Sequence, residues 1–109
     1  MGKKAPLSNV DGFDRFMRRL KRRIDPSVVL LFGSRARADH LRNSDIDLVI
    51  VSDAFNGMPW RDRMHLVLRL WDGEVALEPL CYTRSEFATR SKQASIVREA
   101  ARTGLPLPL

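Results

Sequence analysis

Apolar residues along the chain alternate between helical and strand spacing. Phe13, Phe16, Met17, Leu20 and Ile24 recur at three- and four-residue steps. They predict a helix over 11–24 with one apolar stripe and Asp11 at its start. Arg18, Arg19, Lys21, Arg22 and Arg23 load its other faces and last turn, where cations suit the negative end of the helix dipole. Asp25-Pro26 breaks the pattern. Val28 to Phe32 is continuously apolar and predicts a buried strand over 27–32, closed by Gly33-Ser34. A short helical turn over 35–38 and a polar loop over 39–44 follow. From Asp45 to Val51 the period becomes two, with Ile46, Leu48 and Ile50 on one face of a second strand and Asp45, Asp47, Val49 and Val51 on the other.

The second half repeats the alternation. Pro59 is suited to the first turn of a helix whose stripe is Trp60, Met64, Val67, Leu68 and Trp71. After the turn at Asp72-Gly73, residues 75–82 predict a third strand. Pro79 cannot donate to a ladder, which sends that strand to an edge or a bend. Thr83 or Ser85 starts a short helix containing Phe87. A last helix over 92–103 turns Ile96, Val97, Ala100 and Ala101 inward and stops at Gly104. The order predicts an α/β (α+β) fold, a small mixed β-sheet packed with helices. Residues 1–10 read as a flexible leader, 11–104 as one domain and 105–109 as a Pro/Leu tail.

Composition narrows the class. At 109 residues the chain suits a single domain with a real core. No apolar run approaches the roughly 20 residues of a membrane span, and the basic start has no signal-peptide stretch, so a soluble cytoplasmic protein is expected. Cys81 is the only cysteine, which excludes an intrachain disulfide. The net charge is +6, but residues 1–44 carry eleven Lys or Arg against four acids, and 45–109 carry eight against nine. A basic front half suits an anionic partner; a solvated basic helix face explains it equally well.

The chemistry concentrates where the charge changes sign. Asp45 and Asp47 are two apart in a strand, so both carboxylates leave the same face. Crowded carboxylates repel, and a divalent cation relieves them; Mg²⁺ commonly takes one or two carboxylates plus substrate phosphates. Gly33-Ser34 ends the preceding strand where free backbone amides can grip a phosphate, with Ser34 adding a hydroxyl and Arg35 and Arg37 adding cations. Each feature alone also fits a plain turn or an exposed acid; their pairing on two successive strands is what points to one site.

Gly33-Ser34, a ten-residue spacer ending in Ser44, and Asp45-Ile46-Asp47-Leu48 resemble the signature of the polymerase-beta-type nucleotidyltransferase superfamily. Phe32-Gly33-Ser34-Arg35-Ala36-Arg37, and Glu78-Pro79-Leu80-Cys81-Tyr82-Thr83 with Ser85-Glu86-Phe87, are similar to its minimal prokaryotic members, often encoded beside a HEPN-domain partner. The resemblance implies a polymerase-beta-like fold and a carboxylate triad of Asp45, Asp47 and Glu78, serving catalysis and metal binding. Many relatives carry an Asp at the position of Ala76, which shares strand parity with Glu78, and a Gly at that of Ala38. Gly33, Ser34, Arg35, Arg37 and Ser44 would bind the nucleotide. Two Mg²⁺ ions and ATP or another NTP are implied, with AMP passing to a hydroxyl of a HEPN toxin, which makes the chain an antitoxin.

Two other functions remain in view at this level. One is a non-catalytic antitoxin of the same fold that neutralises its partner by contact. The other is a small RNA-directed nucleotidyltransferase using the basic first helix, whose lack of interleaved exposed aromatics disfavours nucleic acid. A homo-oligomer would also supply an acceptor site. The Arg35…His40 spacing matches a HEPN ribonuclease motif, but a strand-flanked loop is the wrong setting for it. Trp60 and Trp71 read as core, and Cys81 as a small buried residue.

Overall fold

Apolar periodicity becomes a sheet with a helical layer on each face. The computed structural model describes residues 7, 9–36, 44–93 and 95–109. Its elements are α1 (Phe13–Ile24), β1 (Val28–Phe32), β2 (Ile46–Val51), a 3₁₀ turn (Asp53–Phe55), α2 (Trp60–Arg69), β3 (Leu77–Tyr82), α3 (Arg84–Arg90), α4 (Ile96–Thr103) and β4 (Leu105–Pro106). The sheet order is β3-β2-β1-β4. β1 runs antiparallel to β2 and β4, and β2 parallel to β3. The expected small mixed sheet is therefore present.

Strand alternation sorts the side chains onto two faces. Val29, Leu31, Ile46, Leu48, Ile50, Leu77 and Cys81 join Phe13, Phe16, Leu20 and Ile24 of α1 and Val67 of α2 in the main core. Leu30, Val49, Val51 and Tyr82 face the other way and pack against Val97 and Ala100 of α4, with Phe87 of α3 beside them. Fully burying one such side chain contributes about 1.5–3 kcal/mol. The odd-numbered positions of β2 lie on the α4 face, and so does Asp47.

The edge position expected for the third strand holds. Ile46 N–H donates to the Ala76 carbonyl at 2.8 Å and Ser52 N–H to that of Tyr82 at 2.9 Å. By alternation, the backbone of Pro79 then points away from β2, where a missing N–H breaks no ladder bond. The neighbouring outward carbonyl, Cys81, accepts from Arg63 Nη1 at 3.2 Å. That edge is thus blunted against pairing with another strand.

Several local expectations change. The N-cap of α1 is Gly12 at φ 88, with no side-chain cap bond, rather than Asp11. Arg15 and Arg19 bond Asp72 at 2.9 Å and 3.2 Å, so part of the basic helix face ties α1 to the turn after α2. In α2, Trp60 is 40% exposed and Leu68 is also at the surface, whereas Arg63 is buried. The helix has rotated relative to its apolar stripe because Arg63 finds a full set of acceptors. Its Nε donates to the Met58 carbonyl at 2.8 Å, and Nη1 and Nη2 reach Glu86 at 2.6 Å and 3.2 Å. Glu86 also completes a capping box with Thr83 at the start of α3. The Arg63 guanidinium holds the Glu86 carboxyl down at about 2. Arg63→Ala is expected to cost about 2 kcal/mol, read as a shifted denaturation midpoint, because two backbone carbonyls and a carboxylate lose their donor.

Helix α4 starts only at Ile96, capped by Ser95, and Ile96 is 59% exposed rather than inward. Gly104 caps it with φ −67, in an extended conformation rather than a left-handed one. This sends the chain back along β1. Leu105 and Pro106 pair with Leu31 and Leu30, and Leu107 enters the core with its N–H on the Val29 carbonyl at 2.8 Å. The Pro/Leu tail is thus part of the sheet. Leu7 is likewise buried in the main core, so the leader is anchored at its end. Among the described residues, the buried side chain of the leader is Leu7 and that of the tail is Leu107, too few to make a period.

Candidate active site

Three strand ends meet on the α4 side of the sheet. Phe32, the last residue of β1, is the register partner of Asp47, and Asp47 is the partner of Glu78 on β3. Asp47 and Glu78 therefore stand side by side across two parallel strands, although thirty residues separate them in sequence. Asp45 lies just before β2 on the same parity and is exposed.

Gly33 closes β1 with φ 76. A Cβ built there would sit 2.5 Å from Asp47 Oδ2. The glycine thus serves two needs: a left-handed turn, and room for the Asp47 carboxylate against the backbone. Ser34 to Ala36 continue the turn, with Ala36 N–H on the Gly33 carbonyl at 3.2 Å. Ser34 is half-buried.

Asp47 is the electrostatically perturbed group. Its carboxyl is pushed up to about 6, first by burial, then by the hydrogen bond and charge of Glu78, then by the charge of Asp45. The structure therefore brings Asp47 and Glu78 together, with the charge of Asp45 acting on Asp47 from the rim. Arg35 is buried, and its Nε donates to the Ser44 carbonyl at 2.9 Å. This bond ties the turn after β1 to the residue preceding Asp45. Arg37, Ala38 and His40 lie outside the described residues.

A cavity of about 560 Å³ opens over this row. Phe32, Gly33, Ala36, Asp47, Glu78 and Leu80 form its sheet side; Ile96, Glu99, Ala100 and Thr103 of α4 form the opposite wall. The α4 wall was not legible in sequence. The stripe of α4 reports which residues touch the sheet, not that Glu99 beside it overlooks two carboxylates from strands that lie far earlier in the chain.

A nucleotidyltransferase domain model matches residues 13–101, most of the chain and every residue of this row. The chain belongs to the nucleotidyltransferase domain family. No curated protein matches it. Among solved structures, it is similar to a Sulfolobus solfataricus protein assigned as a nucleotidyltransferase, at 24% identity and TM-score 0.59, covering 84% of this chain and 71% of that one. It also shares its architecture with BolA1 from Arabidopsis thaliana, at 24% identity and TM-score 0.54, covering 67% of this chain and 92% of that one. The BolA domain of SufE1 from the same plant gives 28% identity and TM-score 0.53, covering 70% and 95%. These likenesses concern fold, and chemistry has to be argued from the site.

Nucleotidyltransferase domains generally use a nucleoside triphosphate and a divalent metal. The donor set here fits a hard cation: all-oxygen, with Asp47 and Glu78 crowded enough to raise the Asp47 pKa. Among the described residues, no three His, Cys, Asp or Glu side chains come together as a group that could hold a metal ion. Two carboxylates with phosphate oxygens completing the shell is the usual arrangement for Mg²⁺. No helix among the described residues is long and apolar enough to cross a membrane.

Proposed function

We propose that this nucleotidyltransferase domain moves a nucleoside monophosphate, AMP from ATP, onto a hydroxyl of a partner protein, a HEPN-domain toxin, and so acts as an antitoxin. The observation that carries the transfer chemistry is the pair Asp47 and Glu78, two carboxylates held in register with Phe32 across three strands, with the Gly33 backbone pressed against Asp47. The choice of AMP and of a HEPN-domain acceptor rests on the resemblance of the Gly33-Ser34, Asp45-Asp47 and Glu78 motifs to minimal prokaryotic nucleotidyltransferases.

Asp47 and Glu78, joined by Asp45 from the rim, would hold Mg²⁺. Bound there, the ions would lower the pKa of the acceptor hydroxyl and offset the charge on the α-phosphate and the leaving pyrophosphate. Gly33 and Ser34 offer backbone and hydroxyl donors to the triphosphate. The Arg35–Ser44 clamp fixes the spacing between that turn and the carboxylates. In the transfer itself the acceptor oxygen bonds the α-phosphorus, the bond to the β-phosphate oxygen breaks, and the acceptor proton passes to a carboxylate of the site.

The test is incubation of the protein with each α-labelled NTP, Mg²⁺ and the product of the adjacent gene. Label from ATP should appear on that product and vanish with EDTA or Asp45→Asn. Neutralisation of the partner without label, unchanged by Asp45→Asn, would overturn transfer in favour of inhibition by contact.

A further inference from the structure

A second cavity, of about 360 Å³, lies at the other end of β3 and is lined by Trp60, Arg63, Tyr82, Glu86 and Arg90. Trp60 opens α2, and its ring meets that of Tyr82 at 5.2 Å between centroids, tilted by 51°. The pair is rigid, because Tyr82 is buried at the end of a strand and Trp60 sits on a helix. An indole left 40% exposed there is an apolar surface awaiting cover.

The floor is already satisfied. Arg63 spends its donors on Met58, Cys81 and Glu86, so it and Glu86 neutralise each other. Arg90 has no ion-pair partner among the described residues. It leaves one uncompensated cation beside two aromatic rings, and Arg61 follows Trp60 on the exposed side of α2.

We propose that this cavity docks an acidic segment of a protein partner, with an aromatic or large apolar side chain against Trp60 and Tyr82 and a neighbouring carboxylate on Arg90. An exposed Trp and an exposed Arg, beside the edge of a largely buried Tyr ring, are residue types that anchor protein interfaces. Strand addition at this edge is disfavoured, since Pro79 lacks an N–H and the Cys81 carbonyl is taken by Arg63. Docking must therefore be through side chains. A single-stranded nucleic acid would want successive stacking platforms along a groove, and here one pair stands alone.

The cavity has a geometric relation to the carboxylates. Glu78, Leu80 and Tyr82 share one face of β3, with Leu80 lining the first cavity and Tyr82 the second. Four residues of strand span about 13 Å. A docked segment could thus present a hydroxyl to the Asp47–Glu78 row. That last consequence rests on the transfer proposed above; the docking itself does not.

The test is fluorescence anisotropy of the full chain with a labelled random copolymer of Glu and Tyr, alongside a Lys/Tyr copolymer and poly(U). The Glu/Tyr polymer should bind and be weakened at least about tenfold by Trp60→Ala and by Arg90→Glu, with Arg90→Glu gaining affinity for Lys/Tyr. No binding of the Glu/Tyr polymer, or binding insensitive to both surface substitutions, would overturn the site. Poly(U) binding lost in Trp60→Ala would overturn it in favour of nucleic acid. A melting shift with Mg²⁺ and ATP in the same samples reads the nucleotide site separately, so failure of either reading is distinguishable.

Discussion

Asp47→Asn is expected to reduce nucleotidyl transfer by about 10³-fold or more, while making the protein more stable. The two effects share a cause. Asp47 is crowded by burial, by Glu78 and by Asp45, which raises its pKa from 3.8 to about 6. Between those values the folded protein keeps a proton that the unfolded chain has released. Stability of the metal-free protein should therefore fall as pH rises from about 4 to 6 and level off above. Because the carboxyl is partly open to solvent, the penalty at neutral pH is about 1 kcal/mol rather than the full shift converted to energy. Asn carries no charge, so the variant should lose this slope and melt about 4 °C higher at pH 7. At subsaturating Mg²⁺, activity should run the other way and rise with pH, since a cation needs the ionised carboxylate, and more Mg²⁺ should move that rise to lower pH. A variant that melts lower, or keeps the slope, would show that Asp47 is not under this strain.

Gly33→Ala should cost about 10²-fold in transfer, because the new methyl displaces the Asp47 carboxylate from the row. The Cβ would lie 2.5 Å from Oδ2 at a backbone φ of 76. The left-handed conformation alone costs about 1–2 kcal/mol for a non-glycine residue. Gly57 separates the two contributions. It has the same φ of 76, but nothing lies within 4 Å of its Cβ position. Gly57→Ala should lower the melting temperature by a similar amount and leave transfer intact. Equal activity of the two variants would show that the close approach at Gly33 does not matter for chemistry.

The stability gained by Asp47→Asn and the activity it destroys belong together. A site that must hold cations keeps its acids closer than an unliganded protein would choose. The same holds for Gly33, which gives up backbone entropy so that the carboxylate can press against the chain. On the α2 side, Arg63 shows the opposite case. A cation on an otherwise apolar helix face is buried because it meets Met58, Cys81 and Glu86, and no spacing rule announces that.

Much of this was written in local pattern. The strand runs at Val28 to Phe32 and Ile46 to Val51, the edge position of Pro79 and the cap at Thr83 follow from period, burial and backbone chemistry acting over a few residues. So does the shared face of Asp45 and Asp47. The remainder depended on contacts between segments far apart in sequence. Register put Glu78 beside Asp47, where it adds to the burial that raises the Asp47 pKa. Packing turned α2 to expose Trp60, drew Leu105 and Pro106 into the sheet, and set Glu99 across the cavity from the carboxylates. Periodicity reports which face of an element is buried; which partner meets that face is decided by the competition of all elements for the same core.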